Sequence, residues 1–284
     1  AHDCGKGIGI AATHEGYLAD YAGIETLTNP LPPVIAVNTT AGTASEVTRH
    51  CVLTDRSTKL KFVIVSWRNV PLVSFNDPMM MLSVPKGLTA ATGMDALTHA
   101  IEAYVSVDAN PVTDAAAIQS IKLIAQNLRQ AVANGENIKA RENMAYASFL
   151  AGLAFNNGNL GYVHAMAHQL GGQYDMAHGV ANAMLLPTVE EYNLISNPEK
   201  FRDIAIFMGK NVEGLSLMDA AHAAVDAMRE LAEDVGIPSG LAQMGVKEED
   251  FELMAENALR DGNAFSNPRK GTKEDIINLF RKAM

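Results

Sequence analysis

Gly93-Met94-Asp95-Ala96-Leu97-Thr98-His99, and the later stretch running from Gly161 through His164 and His168 to His178, decide how this chain is read. Asp95 and His99 are four residues apart, so on a helix they share one face. His164 and His168 repeat that spacing, and the glycine pair Gly171-Gly172 precedes His178. Both stretches are expected to be helical, with one carboxylate and four of the chain's eight histidines pointing toward a common place.

Working outward, residues from Pro85 onward carry apolar side chains at helical spacing. Asn110-Pro111 is an N-cap followed by proline at the first helical position, which predicts a helix over 113–132 ending near Gly135. Helices are also predicted over 141–155, 180–195, 198–208, 217–235, 248–260 and 273–283, with Gly236-Ile237-Pro238 and Asn267-Pro268 as breakers. Residues 1–80 differ: short β-branched runs at 34–38, 62–66 and 72–76 are punctuated by glycine and turn residues. The expected fold is an incomplete α/β nucleotide-binding domain over 1–80, followed by an all-helical metal and substrate domain over 81–284.

Composition excludes several classes. The chain has 284 residues, 48% of them hydrophobic, which is enough for a sizeable core in one or two domains. The net charge of −10, with no basic stripe, argues against a nucleic-acid partner. No apolar run is long enough to span a bilayer, and the first residues lack the regions of a signal peptide. Cys4 and Cys51 form neither a CxxC motif nor a disulfide framework. A cytoplasmic setting is expected.

A lone histidine is usually a hydrogen-bonded structural residue. Here two pairs of potential ligands at helical spacing converge, and glycines at 158, 161, 171, 172 and 179 allow close backbone approach. Three or four nitrogen and oxygen ligands with one open position describe a catalytic metal site. Without thiolates, Fe(II), zinc, manganese and nickel all fit. Glu102 follows His99 by three residues and could orient an imidazole, although such a glutamate is more often a solvated charge. Spacing alone does not say which of His164 and His168 is a ligand.

Asn38-Thr39-Thr40-Ala41-Gly42-Thr43-Ala44-Ser45-Glu46 follows a predicted strand. Read as a strand-to-helix turn, its hydroxyls and free N–H groups could hold a phosphate, although an ordinary loop is the commoner use of such residues. Lys61 could meet an anion at a strand start. The chain contains no GxGxxG fingerprint.

These residues resemble the iron-containing (group III) alcohol dehydrogenase family along essentially the whole chain. The most specific stretches are His2-Asp3-Cys4-Gly5-Lys6-Gly7-Ile8-Gly9-Ile10, residues 38–48, 93–104 and 159–182, and Asp261-Gly262-Asn263-Ala264-Phe265-Ser266-Asn267-Pro268-Arg269. The resemblance implies that Asp95, His99, His164 and His178 ligate a metal, usually Fe(II). It implies that His168 is not a ligand but lies near nicotinamide and substrate, in proton transfer. Thr39, Thr40 and Thr43 are implied to contact the cofactor's phosphates or ribose, Asp3 and Lys61 to lie beside it, and Phe155 to line the substrate pocket. The implied reaction is reversible hydride transfer between NAD and a small primary alcohol, for example between 1,3-propanediol and 3-hydroxypropanal, in an oligomer built from dimers. Methanol, butanol and lactaldehyde are alternative substrates or products. Family members carry a further α/β segment ending in Gly-Gly-Gly-Ser before the position of Asp3, and that segment is expected to supply the pyrophosphate turn. A metal-dependent hydrolase or lyase, and a non-catalytic metal-binding protein, are the competing classes.

Overall fold

The computed structural model describes residues 1–55 and 60–284. Its N-terminal part is thin. Helix α1 (His2–Ala11) packs on a three-stranded sheet of order β1-β4-β3, made of β1 (Gly23–Ile24), β3 (His50–Asp55) and β4 (Leu60–Val65). β4 runs parallel to β1 and antiparallel to β3, with Cys51 opposite Ile64. Separately, β2 (Ile35–Val37) pairs in parallel with β5 (Val73–Phe75). Ile10, Leu27, Cys51 and Ile64 form the small core that fastens α1 to the sheet.

Helices dominate the rest: α2 (Lys86–Val105), α3 (Pro111–Ala133), α4 (Ile138–Gly158), α5 (Tyr162–Tyr174), α6 (His178–Asn193), α7 (Pro198–Phe207), α8 (Leu217–Asp234), α9 (Phe251–Arg260) and α10 (Lys273–Lys282). Side-chain caps set many of their starts. The Asn110 side chain accepts from the Val112 and Thr113 amides, with Pro111 at the first turn, and Thr272 and Asp275 make a reciprocal capping box on α10. The centre of the bundle is α2, which packs against α3, α4 and α6. From Thr89 to Val105 it is buried on nearly every face, as expected for a helix that is apolar all round. Its only ionisable residues besides His99 and Tyr104 are Lys86, Asp95 and Glu102. Asp95 and Glu102 are both buried, and buried carboxyl groups persist only with partners.

The expected fold class holds: a partial α/β region precedes a helical bundle. Three details differ. Residues 2–11 are helical, although Gly5, Gly7 and Gly9 are poor helix formers; packing against β3 holds them. Neither β1 nor β3 is among the expected strands: β1 is only two residues long, and β3 is defined by its six-residue pairing with β4. The loop of residues 38–46 does not enter a helix but leads on to β3, so the expectation of a strand-to-helix turn is wrong.

Candidate metal and cofactor site

Asp95 and His99 project from α2, one turn apart, toward α5 and α6. Two helix ends come very close to make this possible. Gly161 caps α5, and a Cβ there would lie 2.9 Å from Glu102 Oε1 and 2.7 Å from Asn267 Oδ1. Gly179, in the first turn of α6, approaches α2 so closely that a Cβ would sit 2.3 Å from the Ala91 carbonyl oxygen. These contacts bring His164 and His178 up to Asp95.

Asp95, His99 and His164 each offer one ligand atom, and these atoms all lie within 4.8 Å of one another. His164 Nε2 is 3.8 Å from Asp95 Oδ1 and His178 Nε2 is 3.7 Å from the same oxygen. The His99 ring stacks on that of His164 at 4.5 Å and on Phe155 at 4.3 Å between centroids. Asp95, His99 and His164 are buried, whereas the His178 side chain keeps 28% of its exposure and opens the cluster on that side. Burial holds His164 well below the ordinary imidazole range, and the neighbouring histidines push it the same way. Burial likewise lowers His99 and His178 against the opposing pull of Asp95. Neutral rings leave lone pairs available.

The protons can be placed. Asn182, one turn beyond His178 on α6, aims its side-chain amide at Asp95 Oδ1 with 2.6 Å between heavy atoms. An amide oxygen would be repelled there, so this end is the nitrogen. Nδ2 also lies 3.1 Å from His164 Nε2 and 3.1 Å from His178 Nε2. His164 Nε2 facing a donor is an acceptor, so its proton is on Nδ1, which donates to Glu102 Oε2 at 2.5 Å. Burial and the nearby Glu190 favour a protonated Glu102, but the Asn182 geometry assigns the shared proton to His164. The second oxygen, Oε1, accepts from the Val163 amide at 2.7 Å.

This arrangement tests the fit of a metal. Three acceptor atoms surround Asn182 Nδ2, which has only two hydrogens. A set of imidazole and carboxylate lone pairs aimed at one point suits a borderline divalent cation. The residues therefore fit the group.

His168 stands apart from that point. Its Nδ1 donates to Asp261 Oδ2 at 2.7 Å, and its ring stacks on His178 at 5.5 Å between centroids. Asp261 thus fixes the proton on Nδ1 and leaves Nε2 as the free acceptor. Sequence reasoning passed over Asp261 and Asn182 as individual residues. Asp261 is 93 residues from its partner, and nothing local marks it. Asn182 repeats the one-turn spacing from His178, the signal already used for Asp95 and His99.

The expected cofactor residues lie on the sheet side. Lys61 on β4 is half-buried, with no hydrogen bond or ion pair among the described residues. Its Nζ reaches to 3.0 Å from a Cβ built at Gly171 of α5. Burial lowers its pKa, while Asp95, Asp175, Asp261 and Asp3 oppose the shift. A partly desolvated cation without a direct partner suits an anionic ligand. Thr39 and Thr43 are exposed and Thr40 half-buried on the loop that leads to β3. Asp3 is already engaged: Ser45 Oγ donates to Oδ1 at 2.5 Å and the Val52 amide to Oδ2 at 3.1 Å. Its visible work is to tie α1 to the loop and to β3.

Comparison with known proteins covers nearly the whole chain. The family model described as "Fe-containing alcohol dehydrogenase family, C-terminal" matches residues 89–284, and the one described as "Iron-containing alcohol dehydrogenase" matches residues 1–78. The chain is 75% identical to a 1,3-propanediol dehydrogenase of Citrobacter freundii over 282 residues, covering 99% of this chain and 73% of the relative. It is 50% identical to an NAD-dependent methanol dehydrogenase of Bacillus methanolicus, covering 100% of this chain and 74% of the relative. A crystal structure of a 1,3-propanediol oxidoreductase superposes with a TM-score of 0.97 at 72% identity, covering 100% of this chain and 74% of that one.

Proposed function

The chain belongs to the iron-containing alcohol dehydrogenase family, and from that premise we propose that it transfers hydride reversibly between NAD and a small primary alcohol, with 1,3-propanediol and 3-hydroxypropanal as the leading pair. The observation that carries this reading is the ring of lone pairs from Asp95, His164 and His178 around one buried point, with His99 stacked beside it. Non-redox metal chemistry is not favoured, because the similar proteins named above are dehydrogenases.

Asp95, His99, His164 and His178 would hold the divalent cation, Fe(II) by family, with zinc or another borderline metal compatible with the same donors. The chemistry such a cation supplies there is Lewis-acid polarisation of the alcohol or carbonyl oxygen, which lowers the alcohol's pKa. The chain's own residues do the rest. Glu102 fixes the tautomer and orientation of His164. His168 Nε2 accepts the hydroxyl proton during oxidation and returns it during reduction, held in register by Asp261. Phe155, stacked on His99, would line the substrate pocket. Thr39, Thr40 and Thr43 would contact the cofactor's phosphates or ribose, with Asp3 and Lys61 beside it; the half-buried Lys61, without a direct partner among the described residues, supports this placement.

We assign residues 1–80 to the nucleotide-binding part and 81–284 to the metal and substrate part, a division supported by where the two family models match. We further infer a cytoplasmic homo-oligomer built from dimers. The free thiols of Cys4 and Cys51 favour a reducing compartment. Exposed Ile35, Leu72 and Phe75 on and beside the β2-β5 pair favour a covered surface. Among the described residues no helix is long and apolar enough to cross a membrane.

The test is His178→Ala in the full-length protein. Bound metal and NAD-linked turnover should fall together; normal metal content with normal turnover would remove His178 from the ligand set.

A further inference from the structure

Helix α5 carries His164 and His168, yet its first turn has no cap of its own. The N-cap position is Gly161, which lacks a side chain to accept from the amides that every helix start leaves unpaired. The acceptors come from elsewhere in the fold. Glu102 Oε1 of α2 takes the Val163 amide at 2.7 Å, and Asn267 Oδ1 takes the Tyr162 amide at 3.1 Å. Asn267 is fully buried and held on both sides. Its Nδ2 donates to the Arg269 carbonyl at 2.7 Å and to Asn193 Oδ1 at 2.8 Å, and Asn193 Nδ2 donates back to Asn267 Oδ1 at 3.1 Å. The Tyr162 amide can only donate and the Arg269 carbonyl can only accept, so main-chain groups fix which end of the Asn267 amide is which. Asn193, also fully buried, ends α6 and donates as well to Glu190 Oε2 at 3.2 Å. Beyond Asn267 the chain stays with α5, where the Gly271 amide donates to the Tyr162 hydroxyl at 2.9 Å.

On the basis of the metal centre proposed above, we propose that Asn267 is a positioning residue for it: its amide supplies the cap that α5 lacks, and so fixes the turn that aims His164, two residues beyond Tyr162. Removing that acceptor leaves a buried N–H without its partner, and the helix start must shift to regain one. A ligand constellation tolerates a shift of only about 0.5 Å, so His164 loses its aim at Asp95. The other end of the same segment is Asp261, which holds His168. Residues 261–267 thus fix both α5 histidines, with separable consequences. Asp261 acts on the proton-transfer group, and Asn267 acts on a metal ligand. Neither needs to touch substrate.

The test is calorimetric titration of Zn(II) into the metal-free full-length protein, comparing wild type with Asn267→Ala and Asn193→Ala, together with the visible spectra of the Co(II)-loaded forms. Both substitutions should lower the melting temperature, because each breaks the buried amide pair. Only Asn267→Ala takes the acceptor from the Tyr162 amide, so it alone should bind Zn(II) about tenfold more weakly and change the Co(II) spectrum. Asn193→Ala should keep the Zn(II) affinity and Co(II) spectrum of wild type. Wild-type affinity and spectrum in Asn267→Ala would overturn the proposal and leave Asn267 a packing residue; equal losses of affinity in the two variants would overturn it as well. Should the alanine variant not fold, two milder substitutions carry the test. Asn267→Asp keeps an oxygen toward the Tyr162 amide, and Asn267→Ser is too short to reach it. Zn(II) affinity should then fall in the order wild type, Asn267→Asp, Asn267→Ser, and any other order would overturn the proposal. A folded wild type that binds neither Zn(II) nor Fe(II) would instead strike at the metal centre, a distinguishable result that removes the positioning role with it.

Discussion

Gly179→Ala should disturb both the bundle and the metal centre through one added methyl group. Gly179 lies in the first turn of α6, directly after His178, and has no left-handed backbone that alanine would strain. The obstacle is contact: the new Cβ would sit 2.3 Å from the Ala91 carbonyl oxygen and 2.7 Å from its carbon, both backbone atoms of α2 that cannot rotate aside. Opening the shorter gap to about 3 Å moves α6 from α2 by roughly 0.7 Å, an overpacking that costs about 1–3 kcal/mol. For a chain of this size that lowers Tm by roughly 2–10 °C. The same shift carries His178 away from Asp95, and it exceeds the roughly 0.5 Å within which a ligand constellation must be held. Metal affinity should fall by about tenfold or more, the scale seen when support of a ligand is lost. Differential scanning calorimetry and Zn(II) titration read the two effects. Gly87→Ala is the control: it lies in the first turn of the same central helix with nothing within 4 Å of its Cβ, and should be neutral or stabilising by up to about 1 kcal/mol. A Gly179→Ala protein with wild-type Tm and wild-type metal affinity would refute the claim that close approach of α6 and α2 builds the site.

Glu102→Ala leaves the His164 Nδ1 proton and the Val163 amide without their buried acceptor, and should lower metal affinity by about 10–100-fold; Glu102→Gln should recover part of it, and equal affinity of all three proteins would exclude the orienting role. His168→Ala should retain metal and lose about 10²–10⁴ in kcat, with Asp261→Asn milder in the same direction, whereas metal loss in His168→Ala would make His168 a ligand. Glu190 is fully buried, with one oxygen unpartnered among the described residues, and burial raises its carboxyl to about 8 from 4.5. The folded state thus holds this proton more tightly than the unfolded one. Its stabilising effect is complete below about pH 4.5 and is lost as pH rises to about 8, with a limiting slope of ~1.4 kcal/mol per pH unit. Glu190→Gln should remove that decline, so chemical denaturation at several pH values should show the variant gaining on wild type across this window; a difference independent of pH would contradict the shift.

Much of the helical part could be read because its signals are local. Asn110-Pro111 announces α3, Asn197-Pro198 begins α7, and one-turn spacing places Asp95 with His99 and His164 with His168 on single helix faces. The N-terminal part is harder because its elements exist through partners. α1 contains three glycines and persists through Asp3 bonding Ser45 and Val52, and through buried Lys6 donating to the Thr48 and His50 carbonyls. β3 lacks a clear alternation of buried and exposed residues and is defined by its register with β4. At the site, spacing could not separate His164 from His168. The difference lies in their partners: Glu102 turns His164 Nε2 toward Asp95, and Asp261 holds His168 outside that ring. Each partner is more than sixty residues away along the chain, beyond any local pattern.

The most direct test of a metal-dependent alcohol dehydrogenase is the rate of NAD reduction by the metal-free full-length protein with 1,3-propanediol as Fe(II) is added back. Turnover should be negligible without metal, rise in proportion to bound Fe(II) and saturate near one ion per site. Stoichiometric Fe(II) binding with no NAD-linked turnover of 1,3-propanediol, methanol or other small primary alcohols would contradict the account.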